Sequence, residues 1–389
     1  MLGFFIVVCG LWSVLHGYVA LRLVAPLPLS RRAKWLVGGL FVPPCLLSPL
    51  VFNADALFAP PWTLVFRWVA WTYVGGFSVL FSLMVLRDAL LAALFVGSRW
   101  RTGASSGREV SVARRRFLER SSAAAALLGA GTLTAAGVRR ARKPPELRDV
   151  EIRIPGLPED LDGYHIVQLS DMHVGETIDK DFILPIIETV TTLKPDLVAL
   201  TGDMVDGSVD RLRADVSPLA YLRARDGVCF VTGNHEYYSG AAHWCDHFRE
   251  LGMTVLNNHH LLVKRGDARL LVAGVTDYRE GKKIAGHRSD PELALKDAPP
   301  HDVRILLAHQ PRSADAAKQL GFALQLSGHT HGGQFFPWNL LVGLIEPLRT
   351  GLSKVDDMWV YVSRGTCYWG PPLRTMVAPE ISSLRLRRA

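Results

Sequence analysis

Tyr164-His165-Ile166-Val167-Gln168-Leu169-Ser170-Asp171-Met172-His173 joins a short apolar run to a carboxylate and an imidazole two residues apart. The run Tyr164–Ser170 has the length and apolar content of a buried strand. Alone, an Asp-x-His after a strand means little, because polar residues routinely follow strands. Here the junction recurs. Leu197–Thr201 runs into Gly202-Asp203-Met204-Val205-Asp206, and Val228–Thr232 into Gly233-Asn234-His235-Glu236. Val303–Ala308 ends on His309, and a last cluster reads Gly328-His329-Thr330-His331-Gly332-Gly333-Gln334. Leu270–Val275 is a further predicted strand; Asp179–Leu193, Arg211–Arg223, Ala242–Leu251 and Ser313–Leu320 are predicted helices. Apolar strands broken by helices predict sheet covered by helix, with chemistry collected at the strand ends.

Each cluster places carboxylate, imidazole or amide groups just beyond an apolar strand, the donor types that gather divalent metals. Glycine beside most of them lets the backbone turn sharply and come close to a ligand. The series DxH, GDxxD, GNHE, a lone His and GHTHGGQ resembles the calcineurin-like metallophosphoesterase family over about residues 150–385, and the whole chain resembles its membrane-anchored branch. That resemblance implies an α/β fold, a four-layer αββα sandwich of two sheets packed face to face, preceded by an all-α transmembrane region. It implies two divalent ions. Asp171, His173, Asp203 and His331 would hold the first, and Asp203, Asn234, His309 and His329 the second, with Asp203 bridging. Such a mixed donor set suits Mn, Fe or Zn.

In the family, a water or hydroxide shared by the two ions attacks phosphorus in line, and the ions neutralise charge building on the phosphoryl oxygens. His235, next to Asn234 but not a ligand in the family, is the candidate catalytic residue that protonates the leaving alkoxide. Asp206 is expected behind a ligand imidazole, and Glu236 as a surface residue opening a helix. Near the C-terminus, Arg364-Gly365-Thr366-Cys367-Tyr368-Trp369-Gly370-Pro371-Pro372-Leu373-Arg374 resembles the family's closing motif, with Cys367 where a second glycine is usual. A thiol there is expected to narrow the cleft. Arg374 is a candidate substrate-phosphate contact, with a structural salt bridge as the equal alternative. The other histidines lack partners at ligand spacing; even the pair His259-His260 would point to opposite faces of a strand. The five cysteines show no CxxC spacing, so neither a zinc ribbon nor a disulfide framework is indicated.

The first half of the chain has another texture. Residues 1–150 hold 18 Lys/Arg against 6 Asp/Glu, while 151–389 hold 26 against 30. The basic excess sits beside hydrophobic runs, where it fixes membrane topology rather than marking a nucleic-acid footprint, so no nucleic-acid partner is expected. Residues 1–97 read as a membrane domain of about three helices: Leu2–Val24, Trp35–Phe52 kinked by Pro43-Pro44, and Thr63–Leu86, with Leu90–Phe95 extending the third or lying at the interface. Residues 98–121 read as a basic linker, flexible over Gly97–Ser111. Residues 122–140 form either a fourth span or, after Arg114-Arg115-Arg116-Phe117-Leu118, a twin-arginine-like signal. Residues 150–389 are the phosphoesterase domain.

The expected protein is thus a multi-pass membrane hydrolase of a phosphodiester or related phosphate ester, lipidic substrates included. The bilayer is one partner and, on the signal reading, the twin-arginine export machinery another. Arg22, Arg31, Arg32 and Lys34 put the first loop inside, and Arg87 to Arg120 the stretch after the third span, so the catalytic domain is expected outside the cytoplasm. Arg139, Arg140, Arg142 and Lys143 argue the other way, toward the alternative: a UDP-2,3-diacylglucosamine pyrophosphohydrolase-like step of lipid A synthesis at the cytoplasmic face. A non-catalytic scaffold would need lost ligands, and by motif none is missing.

Overall fold

The computed structural model describes residues 2–51, 54–59, 61–102 and 112–389. They form two compact units, Met1–Arg139 with Gly370–Leu373, and Arg140–Trp369 with Arg374–Ala389.

The first unit is helical: α1 (Leu2–Val24), α2 (Arg31–Gly39), α3 (Val42–Val51), α4 (Ala54–Leu57), α5 (Trp62–Thr102) and α6 (Val112–Ala141). Among the described residues four stretches are long and apolar enough to cross a membrane: Ile6–Val24, Arg31–Val51, Trp62–Gly97 and Ala113–Ala141. Ser30 caps α2, accepting from the Ala33 amide at 3.2 Å. The expected kink falls at Leu40-Phe41, just ahead of Pro43-Pro44. Two boundaries differ from expectation. Leu90–Phe95 simply continues α5, which runs 41 residues with no internal proline to stop it. The basic linker is narrower than 98–121: residues 98–102 belong to α5, Arg114 to Arg116 lie in the first turns of α6, and 103–111 fall outside the described residues.

At one end of this unit the basic residues share an acid. Asp88 accepts from Arg22 at 2.6 Å, Arg87 at 3.0 Å and the Tyr18 hydroxyl at 2.7 Å. Arg87 also donates to Ser122 Oγ at 2.8 Å, and Arg120 to the Pro26 carbonyl at 2.7 Å. The ends of α1 and its following loop, Arg87 and Asp88 of α5, and the early turns of α6 are thereby tied together.

The second unit carries twelve strands among the described residues: β1 (Glu146–Ile154), β2 (His165–Leu169), β3 (Leu197–Leu200), β4 (Val228–Phe230), β5 (Thr254–Val255), β6 (His259–Arg265), β7 (Ala268–Gly274), β8 (Val303–Leu307), β9 (Leu324–Ser327), β10 (Gly351–Val355), β11 (Met358–Val362) and β12 (Glu380–Arg388). They make two six-stranded sheets, in orders β1-β12-β2-β3-β4-β5 and β10-β11-β9-β8-β7-β6. The helices are α7 (Lys180–Leu193), α8 (Val209–Val216), α9 (Asn234–Ser239), α10 (Ala241–Glu250), α11 (Pro291–Ala294), α12 (Ala314–Ala317) and α13 (Trp338–Ile345). This unit begins ahead of residue 150, because β1 pairs in parallel with β12 along its whole length.

Side-chain alternation sorts the layers. Ile166, Ala199, Val272, Ile305 and Leu326 fill the space between the sheets. Their neighbours Val167, Val198 and Leu200 face the opposite way, onto Ile183, Ile186 and Val190 of α7. On the far sheet, Ala273, Leu306 and Val360 pack under Ala314 and Ala317 of α12. The result is the expected α/β/β/α sandwich. β2 to β5 run parallel in one sheet, and β7, β8, β9 and β11 in the other. Gln168 bonds both Thr201 Oγ1 at 2.8 Å and the Ser327 carbonyl at 2.9 Å, drawing the ends of β2, β3 and β9 together.

Candidate metal centre

Beyond β2 and β3 the two loops keep hydrogen-bonding like a ladder. Asp171 N–H donates to Gly202 O, His173 to Asp203 O, Val174 to Met204 O and Asp206 to Val174 O, all within 3.0 Å. Yet strand geometry is broken at the functional positions: Asp171, His173, Asp203, His329 and His331 have φ of 55°, 49°, 53°, 71° and 49°. Each such residue costs on the order of 1 kcal/mol or more of backbone strain and persists because its surroundings hold it. The twists turn side chains from neighbouring loops toward one point. Two glycines make room. A Cβ on Gly233 would sit 2.2 Å from Asp203 Oδ1, and one on Gly328 would sit 2.2 Å from Asp171 Oδ2.

Three groups of side chains have donor atoms within 4.8 Å of one another: Asp171, His173 and His331; His173, Asp203 and His235; Asp203, His309 and His329. Asp203 links them, its Oδ2 lying 3.1 Å from His309 Nε2 and 3.9 Å from His173 Nε2. His173 Nε2 is 3.1 Å from His331 Nε2, and His331 Nε2 is 3.4 Å from Asp171 Oδ1. In the other direction His309 Nε2 lies 3.2 Å from both Asn234 Oδ1 and His329 Nδ1. All seven residues expected as ligands therefore converge.

The donor set fits cations rather than a hydrogen-bond network of its own. His309 Nδ1 donates to the Thr201 carbonyl at 2.8 Å and His173 Nδ1 to Asp206 at 3.1 Å, which fixes both tautomers with Nε2 free to ligate. Burial alone would lower the His309 imidazole, but Asp203 and Asp171 beside it lift it to about 10. Burial, reinforced by the positive charge on His309, holds His329 down at about 3. A cation would supply the positive charge these carboxylates otherwise take from protons.

His235 flanks the group. Its N–H donates to Asp203 Oδ1 at 2.8 Å and its Nδ1 to Asp206 Oδ1 at 2.5 Å. Asp206 thus stands behind two imidazoles, His173 and His235, one more than expected. Burial pulls the His235 imidazole down, but the Asp206 bond and the Asp203 charge raise it to about 9. The ring meets Tyr238 and Trp369 edge-on, with centroids at 5.2 and 5.4 Å.

A calcineurin-like phosphoesterase family model matches residues 164–333. The chain is 38% identical over 272 residues to a zebrafish (Danio rerio) transmembrane protein with metallophosphoesterase domain, covering 68% of this chain and 62% of that protein. It is 35% identical over 336 residues to the bovine (Bos taurus) protein of the same description, covering 84% of this chain and 74% of that one. The chain belongs to the calcineurin-like phosphoesterase family. An uncharacterized metallophosphoesterase of Campylobacter jejuni matches over nearly the full length of both chains, at 29% identity. Membership implies a hydrolase that uses divalent metals.

Within this phosphoesterase three expectations are corrected. Glu236 is wholly buried: its carboxylate accepts from the backbone N–H groups of Asp203 at 2.9 Å, Met204 at 2.7 Å and Gly233 at 2.7 Å. Burial and the Asp203 charge raise it to about 7. Its sequence signal was its place at the third position of α9, where a glutamate reaches back to the capping N–H. Arg374 is 1% exposed, so it is no open phosphate contact. It donates to the carbonyls of His331 at 3.1 Å, Arg364 at 2.8 Å and Cys367, and to His331 Nδ1 at 3.0 Å. Cys367 does not narrow the cleft either; its side chain packs in the core under the first sheet. Gln334 was not singled out from sequence. Its amide clamps the Trp369 backbone twice, at 3.0 and 2.9 Å, and so fixes the indole beside His235.

Proposed function

We propose that this chain is a dinuclear metallophosphoesterase that hydrolyses a phosphodiester or a related phosphate ester. The observation carrying this reading is Asp203 Oδ2, set between His173 Nε2 and His309 Nε2 with further donors converging from both sides. Asp171, His173, Asp203 and His331 would hold one ion, and Asp203, Asn234, His309 and His329 the other, with Mn, Fe or Zn all suited to the donors. When bound, the ions supply an activated water and neutralise charge on the phosphoryl oxygens.

The chain's own residues do the rest. Asp206 holds His173 and His235 by their Nδ1 atoms, so the Nε2 of His235 serves the leaving group. As the water oxygen bonds to phosphorus and the P–O bond to the leaving group breaks, His235 gives its proton to the departing oxygen. Trp369 and Tyr238 restrict the motion of that ring. Purified full-length chain loaded with each metal in turn should contain near two ions and cleave bis(4-nitrophenyl) phosphate. On an alkyl phosphodiester His235→Ala should lower turnover by about a hundredfold or more with metal content intact, and much less on the 4-nitrophenyl ester, whose leaving group departs without a proton. Metal retained without any hydrolysis by the unaltered chain would overturn the reading in favour of a scaffold.

The chain is further proposed to be a multi-pass membrane protein with this site outside the cytoplasm. The end of the helical unit where Arg22, Arg87 and Arg120 gather is the one the positive-inside rule assigns to the cytoplasm. Residue 139 lies at the other end of α6, a 30-residue helix long enough to span a bilayer. An alkaline phosphatase fused after Val150 should be active; a dark reporter there would move the site to the inner face.

A further inference from the structure

Directly after the last ligand loop the chain forms α13, Trp338-Asn339-Leu340-Leu341-Val342-Gly343-Leu344-Ile345. A helix this apolar would ordinarily be core, yet none of its residues is buried. Leu344 is 83% exposed, Ile345 64%, Leu340 58% and Trp338 49%. Met376, 77% exposed, extends the patch beside Asn339. Contiguous apolar surface of this kind on a folded domain marks an interaction site.

The helix is mounted firmly at both ends. A Cβ on Gly333 would lie 2.4 Å from Asn339 Cα and the Trp338 carbonyl, so only glycine lets α13 sit this close to the His331 loop. Arg312 holds the other end, donating to the Ile345 carbonyl at 2.6 Å and to Glu346 at 3.1 Å. The exposure is therefore a property of a fixed element.

Two cavities adjoin it, one of which reaches the metal centre. One, of about 240 Å³, has His329 and Arg279 on its walls together with Val342 and Ile345 of α13. The other, of about 380 Å³, brings Arg349 and Arg364 to Asn339 and Met376. A candidate metal ligand, a cation and apolar residues of the helix thus line one recess, and two further cations line the second cavity. That order, from phosphate-attracting to apolar, matches an anionic lipid read from headgroup to tail.

We infer that α13 is an acyl-chain docking helix, which enters the lipid leaflet beside the metal centre so that the hydrolysed ester is the headgroup phosphate of a membrane lipid. This rests on the phosphoesterase reading above and adds the substrate class. The occupant is the bilayer itself: the described residues of the same chain include four stretches long and apolar enough to cross a membrane, so lipid is the apolar phase always at hand.

The test uses the full chain in lipid nanodiscs of phosphatidylcholine with phosphatidylglycerol, with Cys9 and Cys45 changed to Ser. A nitrobenzoxadiazole dye on Leu344→Cys should be quenched by doxyl-labelled lipid several-fold more than the same dye on Tyr221→Cys, a comparably exposed position. Hydrolysis of hexadecyl and ethyl 4-nitrophenyl phosphate, which share a leaving group, should favour the hexadecyl ester by about tenfold or more. Leu340→Ser with Leu344→Ser should collapse that preference to within about twofold, and Leu344→Ser alone should reduce it in part. Equal quenching at both positions, a preference that survives the double change, or cross-linking through position 344 between two copies would each overturn the inference. If neither ester is cleaved the phosphoesterase reading fails, and the quenching result still decides whether α13 meets lipid.

Discussion

Behind His309 stands a backbone carbonyl, that of Thr201 at 2.8 Å; behind His173 stands a carboxylate, Asp206 at 3.1 Å; behind His331 stands a guanidinium, Arg374 at 3.0 Å. The group around His309 is thus oriented by a neutral, rigid dipole belonging to a sheet. The group around His173 and His331 is oriented by two opposite charges from side chains. An acceptor behind an imidazole holds the ring proton on the nitrogen it faces and strengthens the other nitrogen as a ligand. A donating cation at Nδ1 instead leaves the ring proton to Nε2, which must give it up to ligate, while still fixing the ring's direction. The two halves of the centre should therefore differ in how tightly they hold an ion and in how easily a single substitution disturbs them.

The harshest way to erase that difference is to remove what the halves share. Asp203→Asn should abolish hydrolysis, beyond the about hundredfold that changes behind a ligand bring, and lower metal content toward zero or one ion per chain. Near-normal turnover would sink the bridging role of Asp203. Smaller changes should separate the halves. Arg374→Met removes four donations from a buried guanidinium, and should weaken only one of two metal-binding phases, by about ten- to a hundredfold in calorimetric titration. Tighter binding instead would mean that its charge outweighs its positioning. Asp206→Asn keeps an acceptor in place with the charge gone, and should weaken the same phase by about tenfold. Weakening of the other phase by either change would break the comparison.

The ligand series was legible because β2, β3, β4 and β8 are short, apolar and followed at once by donors. β1 and β12 were not: Glu146-Leu147-Arg148-Asp149-Val150-Glu151 carries charge through the strand at the sheet margin, and Arg385-Leu386-Arg387-Arg388 carries it through the end of the strand beside it. Glu236 was misread because a carboxylate in a helix's first turn is normally solvated, and only the fold reveals the Asp203 and Met204 N–H groups aimed at it beside the capping one. Arg374 was misplaced for a related reason. Arginine suits phosphate and buried carbonyls equally, and nothing in Pro371-Pro372-Leu373-Arg374 tells which it will meet. The left-handed backbone at His173 and His331 left no trace, because histidine, although enriched there among non-glycine residues, adopts that region at only a small share of its positions. Trp338-Asn339-Leu340-Leu341-Val342-Gly343-Leu344-Ile345 is plainly apolar, but whether such a stretch lies within the core or upon the surface is a tertiary matter.

The positive φ angles at Asp171, His173, Asp203, His329 and His331 also bear on how this protein evolves. At each of them glycine would relax the main chain, and asparagine would partly do so, yet glycine offers no donor atom at all. Durability and catalysis therefore pull in opposite directions at the same codons. A lineage selected only for heat resistance would be drawn toward losing its ligands one at a time, while keeping the sandwich intact. A lineage that retains all five is recording continuous selection for the reaction itself.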